Sequence, residues 1–126
     1  MKRFTLGIIL LAVMLAGCLC VSWGMEHLHR PVSQNLEQAA ALACAGDLPE
    51  AALLAEKAHQ DWQQHWRFVA AFADHGPMEE IDALFAALKT YVSVGEEADF
   101  AALCSQLARL TEAMADAHVF NWWNLL

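Results

Sequence analysis

Twenty consecutive residues without a charge, Phe4 to Trp23 (FTLGIILLAVMLAGCLCVSW), constrain this chain more than any other feature. As a helix rising ~1.5 Å per residue they extend about 30 Å, the thickness of a bilayer's hydrocarbon core. Lys2 and Arg3 precede the run, and Trp23 closes it where an aromatic ring suits the membrane interface. The positive-inside bias predicts a single pass through the cell membrane, with a cytoplasmic N-terminus and everything after Trp23 extracytoplasmic. No later stretch is long and apolar enough to cross a bilayer.

The same residues admit a second chemistry. Leu15-Ala16-Gly17-Cys18 resembles a bacterial lipobox, in which Cys18 is lipidated and becomes the mature N-terminus. The basic start followed by an apolar core also fits a cleavable secretory signal, whose core is ~7–15 residues long. The apolar run continues through Leu19, Cys20, Val21 and Trp23, where a mature lipoprotein carries a polar tether, and this favours the intact spanning helix. Either way the remainder is held at the outer face of the membrane.

Past Trp23 the five cations Arg30, Lys57, Arg67, Lys89 and Arg109 face all fifteen carboxylates of the chain. Nucleic-acid phosphates and anionic lipid headgroups repel such a surface, so a nucleic-acid partner is excluded and the domain stands off the membrane. The hydrophobic fraction of 58% exceeds the ~45–50% of ordinary globular chains. The N-terminal run and a large alanine content account for the excess.

Residues 1–24 therefore read as the anchor, 25–32 as a juxtamembrane linker and 33–126 as one helical domain. Pro31 is expected to interrupt any helix continuing from the membrane. The periodicity then predicts four helices packed as an antiparallel bundle. The first, about Ser33 to Ala45, carries Leu36, Ala39, Ala40 and Ala43 on one face. Gly46 stops it, Asp47 caps the next helix and Pro49 occupies that helix's first turn. The second, about Leu48 to Asp74, places Ala55, Ala58, Trp62, Trp66, Val69 and Phe72 or Ala73 at spacings of three and four. His75-Gly76-Pro77 is expected to break it, with His75 as a C-terminal cap. The third helix, from Pro77 to Tyr91 or Val92, buries Met78, Ile81, Phe85 and Leu88. After Gly95 the last helix presents Phe100, Leu103, Cys104, Leu107, Leu110, Met114 and Ala117 as its apolar stripe. The first turn, with Ala41, Ala45, Ala52, Ala55 and Ala58 around Gly46-Asp47, resembles a single tetratricopeptide unit with no second copy at the ~34-residue period.

Taken together, these pieces resemble a family of small bacterial membrane-anchored proteins known only as a domain of unknown function and found mainly in Gram-positive anaerobes. The resemblance rests on the basic start and anchor, the alanine-rich hairpin from Ala41 to Ala58 with Gly46-Asp47, and Trp62 with Trp66. It continues through the break at His75 into Glu80-Ile81-Asp82 and ends at Asn124-Leu125-Leu126. Asn121-Trp122-Trp123 is more aromatic than the family pattern. The resemblance implies a helical fold and an envelope location, and it supplies no catalytic residues.

Few residues carry recognisable chemistry. His59, His65 and His75 are the candidate metal ligands, because an Asp/His pair spaced i, i+4 (Asp61 and His65) shares one helix face. No HExxH or paired Cys/His spacing accompanies them, so the simpler reading of Asp61 and His65 is a solvent-facing polar pair, and no cofactor is expected. Cys44 and Cys104 are expected on or near the buried faces of two helices, as free thiols. No Gly-x-Ser-x-Gly elbow or Cys coupled to a His is present, so no enzyme activity is expected. Glu79, Glu80 and Asp82, and likewise Glu97 and Asp99, are expected near helix N-termini, where negative charge is stabilising. Trp122 and Trp123 are adjacent, so both cannot face one core, and they mark the expected contact with a protein partner.

The resulting expectation is a non-enzymatic interaction or scaffold module of the cell envelope. The alternatives are an exported metal- or ligand-binding protein using His59, His65 and His75, a lipoprotein lipidated on Cys18, and a domain whose thin, alanine-rich core makes it a homo-oligomer. Intact-mass spectrometry of membrane-extracted protein separates the two tethers. Retention of Met1 to Gly17 is expected; a mass that begins at a diacylated Cys18 identifies the lipoprotein.

Overall fold

A computed structural model describes residues 1–70 and 75–118, which form four helices and no strand: α1 (Lys2–Cys44), α2 (Leu48–Val69), α3 (His75–Val94) and α4 (Glu97–His118). The fold is all-α. The expected separation of anchor, linker and first helix is absent, because α1 runs without a break through residues 25–32 and through Pro31. Pro31 has no N–H to donate to the His27 carbonyl, a defect costing roughly 3 kcal/mol inside a helix. Packing on both sides of it offsets that loss. His29, Val32, Ser33 and Leu36 are all buried, and at spacings of three and four they form one continuous buried stripe.

At about 1.5 Å per residue the 43 residues of α1 span roughly 65 Å. Its two parts differ completely in environment. Phe4, Leu6, Ile8 to Leu11, Val13 to Leu15, Leu19 and Val21 are all exposed, touching nothing of the fold. From Val32 to Ala43 the same helix is the centre of the core. One helix, α1, is thus long and apolar enough to cross a membrane.

Its end and the following start are built as the sequence predicts. Gly46 adopts φ +85°, a left-handed conformation in which a side chain would be strained, and Asp47 accepts a hydrogen bond from the Glu50 amide at 3.3 Å. The three-residue turn sets α1 and α2 antiparallel, with the His29 ring 5.7 Å from that of Trp62. Close approach is made by Ala39, Ala43, Ala51, Ala55 and Ala58, all buried. Of the alanines expected to do this, Ala41 and Ala45 are exposed and Ala52 is half-buried. Ala55 and Ala58 alone of the expected five are buried.

Helix α1 packs most extensively on α4 and next on α2; α3 rests mainly on α4 and less on α2. The α1–α4 register is marked by Ser33 Oγ donating to Glu112 Oε1 at 3.0 Å. On α4 the buried Thr111 hydroxyl is satisfied locally, donating to the Leu107 and Ala108 carbonyls. Met78, Ile81, Phe85 and Leu88 of α3 are buried as their spacing requires, as are Phe100, Leu103, Cys104, Leu107 and Met114 of α4; Leu110 is half-buried.

Two boundaries differ from expectation. Helix α2 ends at Val69, before the expected Asp74, and α3 begins at His75, so His75 opens α3 where a C-terminal cap of α2 was expected. Pro77 lies inside the first turn of α3, where its missing N–H has no intrahelical partner to lose. Glu79 and Glu80 consequently fall beyond the first turn of α3, whereas Glu97 and Asp99 do occupy that of α4. The expectations for Phe72, Ala73, Trp122 and Trp123 fall outside the described residues.

Replacing Leu36 by Ala is expected to destabilise the helical domain by about 2–5 kcal/mol, the range for a fully buried leucine. Leu53→Ala, at a side chain 66% exposed on α2, is expected to change stability by less than about 0.5 kcal/mol. Chemical denaturation of the detergent-solubilised chain, followed by circular dichroism, measures both.

Candidate functional site

Where α2 and α3 meet, α2 presents the small side chains of Ala52 and Ala55, while Phe85 and Leu88 reach across from α3. Alanines draw α2 onto α1, but they leave the opposite flank of α2 short of volume. The result is a cleft of about 410 Å³, closed at its base by Phe100 of α4. Ala55, Phe85, Leu88 and Phe100 are each at least nine-tenths buried, so the floor is apolar and held by the core itself.

Polar groups stand only at the rim. Among the described residues, two pairs cross the seam: Lys89 Nζ to Glu56 Oε2 at 3.4 Å, and His59 Nε2 to Asp82 Oδ1 at 3.5 Å. The His59 side chain is 13% exposed and its ring stacks on Phe85, with centroids 4.7 Å apart and planes 17° apart. Gln63 Nε2 lies 3.1 Å from the same ring nitrogen. A neutral Nε2 can accept from the Gln63 amide, and a protonated one can donate to Asp82, but one nitrogen cannot do both. Which of the two partners Nε2 engages therefore depends on the tautomer of the His59 ring.

The three candidate metal ligands do not converge. His59 and His65 are six residues apart on α2, which places them about 9 Å apart along the axis and on different faces. His75 lies at the start of α3 in an edge contact with Trp66, centroids 6.4 Å apart. Among the described residues no group of three or more His, Cys, Asp or Glu is arranged to hold a metal ion. Asp61 and His65, expected to face solvent, are both half-buried, and Asp82 serves as the partner of His59.

All four cysteines are free. Cys18 and Cys20 are exposed on the apolar part of α1. Cys44 is exposed as well, contrary to its expected place on a buried face, because the α1 stripe passes through Ala40 and Ala43 and turns away one residue later. Cys104 is wholly buried, and burial pushes its thiol from an ordinary 9.0 up to about 12.

Sequence reasoning missed two groups. The cleft was hidden because alanine reads as core wherever it falls, and only the partner helix shows which flank of α2 is underfilled. His29, buried against Trp62 and placed in the expected linker, had a visible signal: His29, Val32, Leu36 and Ala40 recur at spacings of three and four.

A family model described as a domain of unknown function, DUF4363, matches residues 24–125, and the chain belongs to that family. The match begins where the apolar run ends, so the anchor seen in the resemblance lies outside it. No curated protein and no solved structure matches the chain.

The Cys104 shift carries a sign. The unfolded thiol ionises above pH 9.0, while the folded one holds its proton to about pH 12, so folding stability is full below pH 9.0 and declines as pH rises towards 12. Denaturation between pH 8 and 11 is expected to show this decline, reduced in Cys104→Ala when each is compared with its own value at pH 8. In the same samples at pH 8 iodoacetamide is expected to modify Cys44 readily, and Cys104 only after unfolding.

Proposed function

We propose that this DUF4363 member is a single-pass envelope protein whose acidic helical domain, displayed outside the membrane, is a non-enzymatic interaction or scaffold module. In this reading Phe4 to Trp23 crosses the bilayer of a bacterial cell, Gram-positive by its resemblance, with Lys2 and Arg3 in the cytoplasm. The C-terminal part of α1 and the helices α2 to α4 then form an antiparallel four-helix bundle beyond the outer face. The reading leans on one observation above all. A single uninterrupted helix is exposed and apolar over its first half and buries one stripe in the core from Val32 to Ala43. Such a helix buries its apolar surface twice, once in lipid and once in protein, and neither environment suffices for both halves.

The interaction role is supported by the excess of carboxylates past Trp23, which keeps the domain off anionic lipid and available to a partner. Trp122 and Trp123 are the proposed contact, since large aromatic side chains dominate the energetics of interfaces. A second copy of the chain is one form such a partner takes.

Fractionation of cells expressing the full chain is expected to recover it with membranes, resistant to carbonate extraction. Protease added from outside is expected to remove the C-terminal domain and spare an N-terminal tag. Cross-linking in intact cells is expected to recover one reproducible partner, lost in the Trp122→Ala, Trp123→Ala double variant. Recovery in the soluble fraction overturns the anchor; a cross-linking pattern without a reproducible partner overturns the interaction module.

A further inference from the structure

We propose that residues 119–126 make a second contact with the membrane, seated in the headgroup layer of its outer face beside Trp23. The proposal rests on the reading of Phe4 to Trp23 as a spanning helix. What carries it is the register of α4 on α1. Ser33 meets Glu112, and the same seam brings Glu26 and Arg30 of α1 together with Ala115 and Asp116 of α4. Numbers fall along α1 as they rise along α4, so α4 descends towards the apolar half of α1. With Glu112 beside Ser33, the end of α4 at His118 comes level with His27. Trp23 lies one further turn along α1, about 6 Å away.

Residues 119–126 follow His118 directly. A stretch of that length covers about 12 Å as a helix and up to about 28 Å fully extended, so either conformation bridges the distance to Trp23.

Their chemistry suits the boundary between hydrocarbon and water. Val119, Phe120, Leu125 and Leu126 are apolar, Asn121 and Asn124 are uncharged amides, and Trp122 and Trp123 stand between them. Tryptophan joins a large apolar ring to one N–H donor and therefore collects at membrane interfaces. No Asp, Glu, Lys or Arg follows Asp116, so the repulsion that keeps the acidic sides of the domain off anionic lipid ends where this segment begins. Trp23 marks the same layer: it is 71% exposed, and its ring stacks on His27 with centroids 5.4 Å apart. The protein partner proposed for Trp122 and Trp123 is then one met at the bilayer surface. The turns at Gly46 and Gly95 lie at the opposite end of the domain.

Full-length chain, one copy per phosphatidylcholine nanodisc, tests the contact. The discs contain a trace of phosphatidylcholine with a diazirine on the acyl carbon nearest the glycerol, and labelled peptides are mapped by mass spectrometry after illumination. Label is expected on the peptide around Trp23 and on residues 119–126, and not on the Gly46 or Gly95 turns. The Trp122→Asp, Trp123→Asp double variant is expected to lose about tenfold of the label on 119–126, because a carboxylate is driven from apolar surroundings into water, with label at Trp23 and helicity by circular dichroism unchanged. Label at Trp23 without label on 119–126 overturns the proposal and leaves the anchor standing. Absence of label throughout Phe4 to Trp23 overturns the anchor and the proposal with it. Label on 119–126 that appears only in discs holding two chains assigns the segment to a contact between copies and overturns the lipid contact, as does undiminished label in the folded double variant. Should that variant fail to fold, the label pattern of the unaltered chain decides alone.

Discussion

The packing of α1 between Val32 and Ala43 against both α2 and α4 positions every other element of this protein. Helix α2 returns along it with Trp62 beside His29, α4 packs on it with Ser33 joined to Glu112, and α3 is carried mainly by α4. Burial of Val32, Leu36, Ala39, Ala40 and Ala43 keeps α1 helical across Pro31. A break there would leave the first half of α1 hinged to the core. Unbroken, it continues the apolar N-terminal half directly into the folded domain.

Along this one helix the side-chain pattern changes. Residues from Phe4 to Val21 present apolar side chains on all faces, as a helix bathed in hydrocarbon does, whereas from Val32 only one stripe is apolar and the rest is polar. The change occurs over about two turns containing Glu26, His27 and Arg30, where Glu26 and Arg30 form an i, i+4 pair at 3.5 Å. The residues up to Val21 and those from Val32 onward thus follow two different patterns along one helix.

Small side chains bear on two of the seams. Between α1 and α2 the alanines Ala39, Ala43, Ala51, Ala55 and Ala58 are buried, although α1 packs most extensively on α4. Between α2 and α3 they face Phe85 and Leu88, whose rings and branches hold the helices apart without filling the space. Electrostatic pairs at the rim then take over what packing does elsewhere, and exposed pairs of this kind contribute little to stability. The cleft is the consequence of using one alanine-rich helix against two neighbours of different side-chain size.

Helix content, the apolar run, the Gly46-Asp47 turn, the core residues of α3 and the larger ones of α4 were legible from spacing alone, because a 3.6-residue period and a capping residue are local properties; Ala101, Ala108, Thr111 and Ala115, also buried on α4, were not expected. The α2–α3 boundary was misplaced: Gly76 and Pro77 read as a break, yet proline's missing N–H is harmless in a first turn. Cys44 was assigned to the wrong face because one residue is 100° of helix, and an alanine-rich stripe hardly distinguishes its edge from its centre. What the sequence by itself determined is that twenty uncharged residues preceded by Lys2 and Arg3 form a helix of bilayer length, and that acidic amphipathic helices follow. Only the tertiary structure decided that this run and the buried stripe from Val32 share one helix through Pro31, and that a cleft lies beside Ala52 and Ala55. Both depend on what faces a residue from another helix, and periodicity along one helix does not carry that information.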